Sequence, residues 1–433
     1  MRTYFFLLWL GIMASHAALG QSPYYFPPTG SAQWDTLSPQ QLGWCEDSLN
    51  SLYAFLEEKN TKAFLVLKEG KMVIERYFDD FQATDNWYWA SAGKSLAAFL
   101  VGMAQDQQLL SIEDSVSRFL GQGWTSLPPA QERNIKIRHQ ITMTTGLADT
   151  VDDLNCLDPS CLTYQAEPGT RWSYHNAPYR LVQDVVGQAS GGSMQSFTKS
   201  QLLDKIGMNG LWFNYVFWST PRSMARFGLL CLNQGIWDQD TLLKDTAYFQ
   251  AMSTSSQPHN PSYGYLWWLN GQGQYMIPSL QFLFSTDLVP SAPADMYAGL
   301  GKNDQKVYVV PSQDLVVVRM GNDGGGNLFA LSSFDENLWS KMAGLACQAT
   351  SIEVDLPLLS LYPNPAKGAI FLKNLPPGLG QYHIYSLLGQ AVKTGALPQA
   401  EISLSGLQPG WYLLKVEHDG LKRPWQWKIQ VKE

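Results

Sequence analysis

The sequence predicts an α+β chain: one antiparallel sheet flanked by helices, a mostly helical lobe, then a small Ig-like β-sandwich. Three observations predict it. Strand signals occur near the N-terminus, at Ala63–Lys68 and Lys71–Phe78, and return only after residue 260. The intervening chain, to about residue 255, reads as mostly helical with long loops. Beyond residue 356, short alternating segments recur at regular spacing with turn signals between them. A single sheet assembled from both ends of the first region, with the helical block as a second lobe, accommodates the first two observations. The seam between the lobes is a natural cleft.

The elements follow in order. Arg2, the apolar run Tyr4–Met13 and the small residues Ala18-Leu19-Gly20 read as a secretory leader over residues 1–20, with Gln21 as the first mature residue. That run is too short for a membrane span of about 20 residues, and no other segment is long and apolar enough. A region of residues 21–349 follows. It opens with an amphipathic helix over 38–59, Ser38-Pro39 serving as cap and first position and Leu42, Cys45, Leu49, Leu52 and Phe55 as its apolar face. The two strands joined by Glu69-Gly70 form a hairpin, and an apolar helix begins at Ser91. Helices are expected at Ser223–Leu232 and Thr241–Met252. Strands are expected at Tyr263–Leu269, Met296–Leu300, Lys306–Val310 and Asp314–Met320, and a last helix at Leu331–Leu345. A linker over 350–360 leads to the sandwich, 361–433, with strands at Ala369–Leu372, Gln381–Ser386, Ala400–Leu404, Gly410–Val416 and Trp425–Val431.

Composition narrows the function classes. With 45% hydrophobic and 15% charged residues, the 433-residue chain can bury sizeable cores. A net charge of −7, without a run of Lys and Arg, argues against a nucleic-acid partner. No metal-ligand spacing is present and no cofactor is called for. In a secreted protein, Cys156 and Cys161 flank a turn-forming Asp158-Pro159 and read as a local disulfide. Cys45 and Cys347 could meet, and Cys231 reads as a buried free thiol.

Ser91-Ala92-Gly93-Lys94 carries chemistry. Positions i and i+3 share a helix face, so the Lys94 amine can lie beside the Ser91 hydroxyl. A serine is a poor nucleophile until a base takes its proton, and a desolvated lysine can be that base. The helix N-terminus adds N–H groups where an oxyanion would form. The bare pattern recurs at Ser196-Phe197-Thr198-Lys199, so it decides nothing alone. Tyr174-His175-Asn176 raises its weight. A tyrosine near a lysine can carry a proton, with the cation lowering the phenol's pKa, and an asparagine can hold a substrate carbonyl or amide.

Ser91-x-x-Lys94 followed by Tyr174-x-Asn176 resembles the serine β-lactamase-related superfamily, class C type, with its penicillin-binding-protein-like peptidases, esterases and 6-aminohexanoate-oligomer hydrolases. Ile137–Leu147, Ser223–Leu230 and Val309–Val318 are similar to further segments of that group, and the resemblance covers about residues 35–348. It implies a β-lactamase/transpeptidase-like fold, Ser91 as nucleophile, Lys94 and Tyr174 in proton transfer, and Asn176 on the substrate. The third motif of the group, Lys-Thr-Gly or a variant, is best matched by Gly299-Leu300-Gly301, with the N–H of Lys302 joining that of Ser91 as oxyanion donor. A literal Lys393-Thr394-Gly395 exists but lies in the sandwich. Without the Lys-Thr pair that helps such enzymes hold a β-lactam carboxylate, an ester or amide is the expected small-molecule substrate. β-Lactam or D-amino-acid peptide hydrolysis, or an inactive surface-displayed binding relative, stand as alternatives. A Ser-His-Asp triad is a further possibility, although no G-x-S-x-G elbow is present, His139 reads as a structural residue and His175 as a loop residue.

The tail, Tyr362-Pro363-Asn364-Pro365-Ala366 through Leu407-Gln408-Pro409-Gly410-Trp411-Tyr412, resembles the C-terminal sorting domain of the type IX secretion system. It implies that machinery as a partner and an extracellular or cell-surface destination.

Overall fold

The computed structural model describes residues 23–325, 331–347, 359–375, 378, 380–387, 389–397, 401–419 and 424–432. The expected leader lies outside the described residues, as does nearly all of the expected linker.

The α+β class holds. The first region contains α1 (Glu46–Glu58), β1 (Thr61–Lys68), β2 (Lys71–Tyr77), β3 (Trp87–Tyr88), α2 (Gly93–Asp106), α3 (Asn176–Ala189), β4 (Leu211–Phe213), β5 (Val216–Ser219), α4 (Pro221–Leu232), α5 (Thr246–Met252), β6 (Trp268–Leu269), β7 (Tyr297–Gly301), β8 (Gln305–Val310), β9 (Leu315–Gly321) and α6 (Ser333–Ala343), besides shorter turns. Its main sheet runs β2-β1-β9-β8-β7-β6, antiparallel throughout. The N-terminal hairpin therefore pairs with the last strand of the region, as a sheet built from both chain ends requires. Leu315–Val318 of β9 and Ala63–Leu67 of β1 are continuous buried apolar runs because helices cover the sheet. α2 is buried along nearly its whole length and forms the spine between the sheet and the helical lobe.

Turn chemistry sets the register. Glu69 and Gly70 both take positive φ, 53° and 79°, the two-residue turn whose twist suits a hairpin. A Cβ on Gly70 would also lie 1.9 Å from the Tyr25 carbonyl oxygen, so only glycine fits.

Three expected elements are shorter than the sequence suggests. The helix over 38–59 breaks into a single turn, Pro39–Leu42, and α1, because Gly43 takes a left-handed φ of 69° and ends the first turn. The helix from Thr241 starts only at Thr246: Asp240–Thr241 pair with Ile236–Trp237, and the Asp245 side chain caps α5 by accepting from the Tyr248 N–H. Of Tyr263–Leu269, only Trp268–Leu269 joins the sheet, because Leu266 at φ 58° folds the segment back on itself.

The cysteines sort as the sequence allowed. Cys45 joins Cys347 across 302 residues, Cys156 joins Cys161, and Cys231 is buried and free. Cys45–Cys347 ties the start of α1 to the chain after α6, where Cys45 N–H also donates to the Leu345 carbonyl. Closing so long a loop restricts the unfolded chain strongly. Replacing both cysteines by serine is expected to lower stability by about 3 kcal/mol or more. Thermal melting of the oxidised protein and the double variant checks this, and equal midpoints would refute it.

The C-terminal module has its own core, around Ile370, Ile384, Leu414 and Ile429. Strands β10 (Ser360–Tyr362), β11 (Ala369–Lys373) and β14 (Glu401–Ser403) form one sheet in the order β10-β11-β14. Strands β12 (Gly380–Ser386), β13 (Ala391–Leu397), β15 (Gly410–His418) and β16 (Trp425–Val431) form the other in the order β13-β12-β15-β16. Strands β10 and β13 were not among the expected segments: β10 has only three residues, and β13 alternates without strong apolar residues because it is an exposed edge.

Candidate active site

Ser91 sits in a single 3-10 turn, Ala90–Ala92, that runs directly into α2. The serine therefore precedes the α-helix instead of opening it, but residues i and i+3 still align in a 3-10 turn, so Lys94 keeps its place beside Ser91. The turn is anchored on both sides. Trp89 N–H donates to the Phe217 carbonyl at 2.8 Å, and its indole N–H donates to Ser219 Oγ at 2.8 Å. Ala90 takes φ 48°, a left-handed conformation that a non-glycine residue adopts only where its surroundings enforce it.

Lys94 Nζ lies 2.8 Å from Ser91 Oγ and 2.9 Å from Asn176 Oδ1. The side chain is 3% exposed, and Nζ stands over the rings of Tyr174 and Tyr179 at 4.8 and 4.4 Å. No carboxylate pairs with it among the described residues. Burial, reinforced by the Arg180 guanidinium, pulls its pKa down to about 7. Around neutral pH a large share of the amine is thus free to accept a proton, which an exposed lysine would not be.

Tyr174 stacks on Trp268 with ring centres 5.8 Å apart and packs edge-on against Tyr263. Trp172, whose carbonyl accepts from Gln281 Nε2, completes this aromatic wall. The expectation that a lysine cation lowers the Tyr174 phenol's pKa is reversed here. Burial raises it well above the ordinary value and outweighs an interaction with Ser91 that lowers it. Tyr174 therefore stays a neutral phenol across the physiological range.

Asn176, the first residue of α3, has both ends of its amide engaged. Oδ1 accepts from Lys94 and Nδ2 donates to Asn155 Oδ1 at 3.1 Å. Asn155, Tyr179 and Arg180 are neighbours of the site that the sequence reading did not single out. Tyr179 and Arg180 were findable, since they lie three and four residues after Asn176 on one helix face. Asn155 comes from a segment with no motif.

Strand β7 lies against the Ser91 turn. A Cβ on Gly301 would stand 2.5 Å from the Trp89 carbonyl oxygen and 3.1 Å from Ala92 N; one on Gly299 would stand 3.0 Å from Ser95 Oγ and 3.2 Å from the Ala92 carbonyl oxygen. Position 299 is thus tight: a side chain there requires Val307 and Ser95 to shift. Leu300 is buried, and the Lys302 side chain is exposed.

The competing motifs go elsewhere. Ser196 forms a capping box with Ser193, and Lys199 pairs with Asp204 on the surface. Lys393-Thr394-Gly395 lies on edge strand β13 of the module, with Lys393 Nζ donating to the Ser405 carbonyl. His139 Nδ1 accepts from Lys136 N–H. His175 is buried with no hydrogen-bond partner among the described residues, and burial lowers both histidines to about 4. The amine that hydrogen-bonds Ser91 Oγ is that of Lys94. Trp89, Trp172, Trp267 and Trp268 are buried in the core, whereas Trp87 and Tyr88 are half-buried. A separate pocket of about 380 Å³, lined by Asp184, Gln195 and Tyr215 among others, opens beside the far half of α3 and not at Ser91. No group of residues suited to a metal ion occurs among the described residues, and no described helix is long and apolar enough to cross a membrane.

Known proteins agree with this architecture. Penicillin-binding protein 4* of Bacillus subtilis is 27% identical over 136 residues, a stretch spanning 28% of this chain and 29% of that protein's length. Among solved structures, a Bacillus anthracis protein assigned as a 6-aminohexanoate-dimer hydrolase superposes with a TM-score of 0.56 at 17% identity, covering 72% of this chain and 87% of the other. A penicillin-binding protein homologue from Caulobacter crescentus gives 0.54 at 12% identity, covering 70% and 98%. Residues 360–430 match the secretion system C-terminal sorting domain, which marks the chain for export by the type IX machinery to the cell surface or beyond. Residues 56–335, well over half of the chain and the stretch that brings Ser91, Lys94, Tyr174 and Asn176 together, match the Beta-lactamase family, and the chain belongs to it.

Proposed function

We propose that this exported member of the family is a serine hydrolase that cleaves an ester or amide through a covalent acyl-enzyme. Ser91 Oγ bonds to the substrate carbonyl carbon while its proton passes to Lys94 Nζ. The carbonyl oxygen, now negative, is met by the backbone N–H groups of Ser91 and Lys302. The tetrahedral adduct collapses, and the leaving oxygen or nitrogen takes a proton relayed through the neutral Tyr174 phenol. Water then attacks the acyl-enzyme along the reverse proton path and frees Ser91. Asn176 orients Lys94 and faces the substrate.

The observation that carries this reading is the buried, carboxylate-free Lys94 amine 2.8 Å from Ser91 Oγ. What favours an ordinary ester or amide over a β-lactam is Gly299-Leu300, which offers no lysine or threonine side chain to hold a β-lactam carboxylate.

A fluorophosphonate probe is expected to label the mature protein on the peptide containing Ser91 and to leave Ser91→Ala unlabelled. Labelling that persists in Ser91→Ala overturns the assignment. Across a panel of ester, amide and β-lactam substrates, turnover is expected with esters or amides, with β-lactams the poorest class.

A further inference from the structure

Among the described residues, Lys94 has one hydrogen-bonding side chain besides Ser91 to fix its direction, and that side chain's other end is held by one neighbour. Asn176 Oδ1 accepts from Lys94 because Asn176 Nδ2 is occupied by Asn155 Oδ1. An amide that loses this second contact can rotate and present its NH₂ to the lysine, replacing an acceptor with a donor. Asn155 comes from a loop with little apolar anchoring: Asp152, Asp153, Asp158, Pro159 and Ser160 are exposed, and Asn155 itself is half-buried. Local bonds hold it in place. Asn155 N–H and Nδ2 both donate to Asp153 Oδ1, the Leu154 carbonyl accepts from Ala177 N–H, and Arg180 donates to the Asn155 carbonyl. The next residue, Cys156, is joined to Cys161.

We propose that Asn155, held by the Cys156–Cys161 staple, is a positioning residue that fixes the Asn176 amide and, through it, the Lys94 amine toward Ser91. The inference rests on the acyl-enzyme reading of Ser91 and Lys94. Its consequence is that the site is complete only in the oxidised protein, which suits a chain destined for the outside of the cell.

The test is the kinetics of Ser91 labelling by the fluorophosphonate probe, resolved into a bound-state rate and an affinity across pH. The titratable or charged groups around the relay are Lys94, Tyr174, Tyr179, Arg180 and Asp153. Asn155→Ala is expected to lower the bound-state rate by about 10- to 100-fold, the scale set by a misplacement of roughly an ångström, with affinity and melting temperature little changed. The Cys156→Ser/Cys161→Ser double variant is expected to lower it in the same way. Asn155→Asp keeps an oxygen for Asn176 Nδ2. It is expected to recover part of the rate and to move the acid limb to higher pH, because an added carboxylate favours the protonated lysine. Wild-type rates in Asn155→Ala overturn the proposal. So do equal losses in the alanine and aspartate variants with an unmoved acid limb, which would mean only a collapsed loop. A wild-type protein that never labels at Ser91 refutes the acyl-enzyme reading instead, a different outcome from either.

Discussion

Lys94→Met is expected to reduce Ser91 acylation on the order of 10³-fold while leaving the fold intact, and to make the protein more stable at acid pH. The first part follows from the site's inventory. Among the described residues the amine that hydrogen-bonds Ser91 Oγ is Lys94 Nζ, at 2.8 Å, and Tyr174 holds its own proton too tightly to serve as a standing base. A general base of this kind contributes roughly 10²–10⁴-fold. Methionine keeps most of the volume and apolar stem of lysine, so neighbouring Tyr174 and Tyr179 need not move. Single-turnover labelling measures the loss, and a variant within tenfold of wild type would mean that another group takes the proton.

The pH dependence has a definite sign. Wild-type acylation should rise through about pH 7 as Lys94 sheds its proton. The same depressed pKa is a stability statement. The unfolded chain binds the Lys94 proton up to an ordinary lysine pKa, whereas the folded chain gives it up at about 7, so this group's contribution to stability improves as pH rises from about 7 into the alkaline range. Below pH 7 the folded protein carries the full penalty of a buried cation. The melting-temperature gain of Lys94→Met should therefore be largest below pH 7 and shrink toward pH 10. A gain that does not vary with pH would point to packing and not to charge.

How far the sequence reaches depends on whether a feature is written in local pattern or in tertiary contact. Ser91, Lys94, Tyr174 and Asn176 are readable because two short motifs carry them, and the sheet is readable because β1, β2, β8 and β9 carry short apolar runs bounded by turn residues. The Tyr174 pKa is not readable in this way. Its direction depends on whether the lysine's charge or the burial by Trp172, Tyr263 and Trp268 is larger, and those residues converge from separate segments. Asn155 escapes notice for the same reason: its role exists only because α3 begins next to its loop. The premature helix reading at Thr241 has a more local cause. Asp240–Thr241 carry no strong apolar alternation, and only their pairing with Ile236–Trp237 makes them a hairpin.

Gly301→Ala tests the remaining part of the site, the seam between strand β7 and the Ser91 turn. The added Cβ would stand 2.5 Å from the Trp89 carbonyl oxygen, a backbone atom that cannot swing aside as a side chain tip can. That carbonyl already accepts the Ala92 N–H at 3.0 Å, the bond that closes the turn bearing Ser91. Relief of the clash must open the turn or push the strand away, and either movement separates the N–H groups of Ser91 and Lys302. Loss of one oxyanion donor is worth about 3–4 kcal/mol, or 10²–10³-fold in rate, while overpacking of this kind lowers stability by about 1–3 kcal/mol. Gly299→Ala provides the contrast. Its Cβ meets Val307 Cγ1 at 2.9 Å and Ser95 Oγ at 3.0 Å, atoms at side-chain ends, and the nearest backbone atom is 3.2 Å away. Both variants should melt earlier, but only Gly301→Ala should lose acylation far beyond its loss of stability. Parallel losses in the two would reduce the seam to packing alone, whereas a split between them would locate the oxyanion donors where strand β7 meets the serine turn.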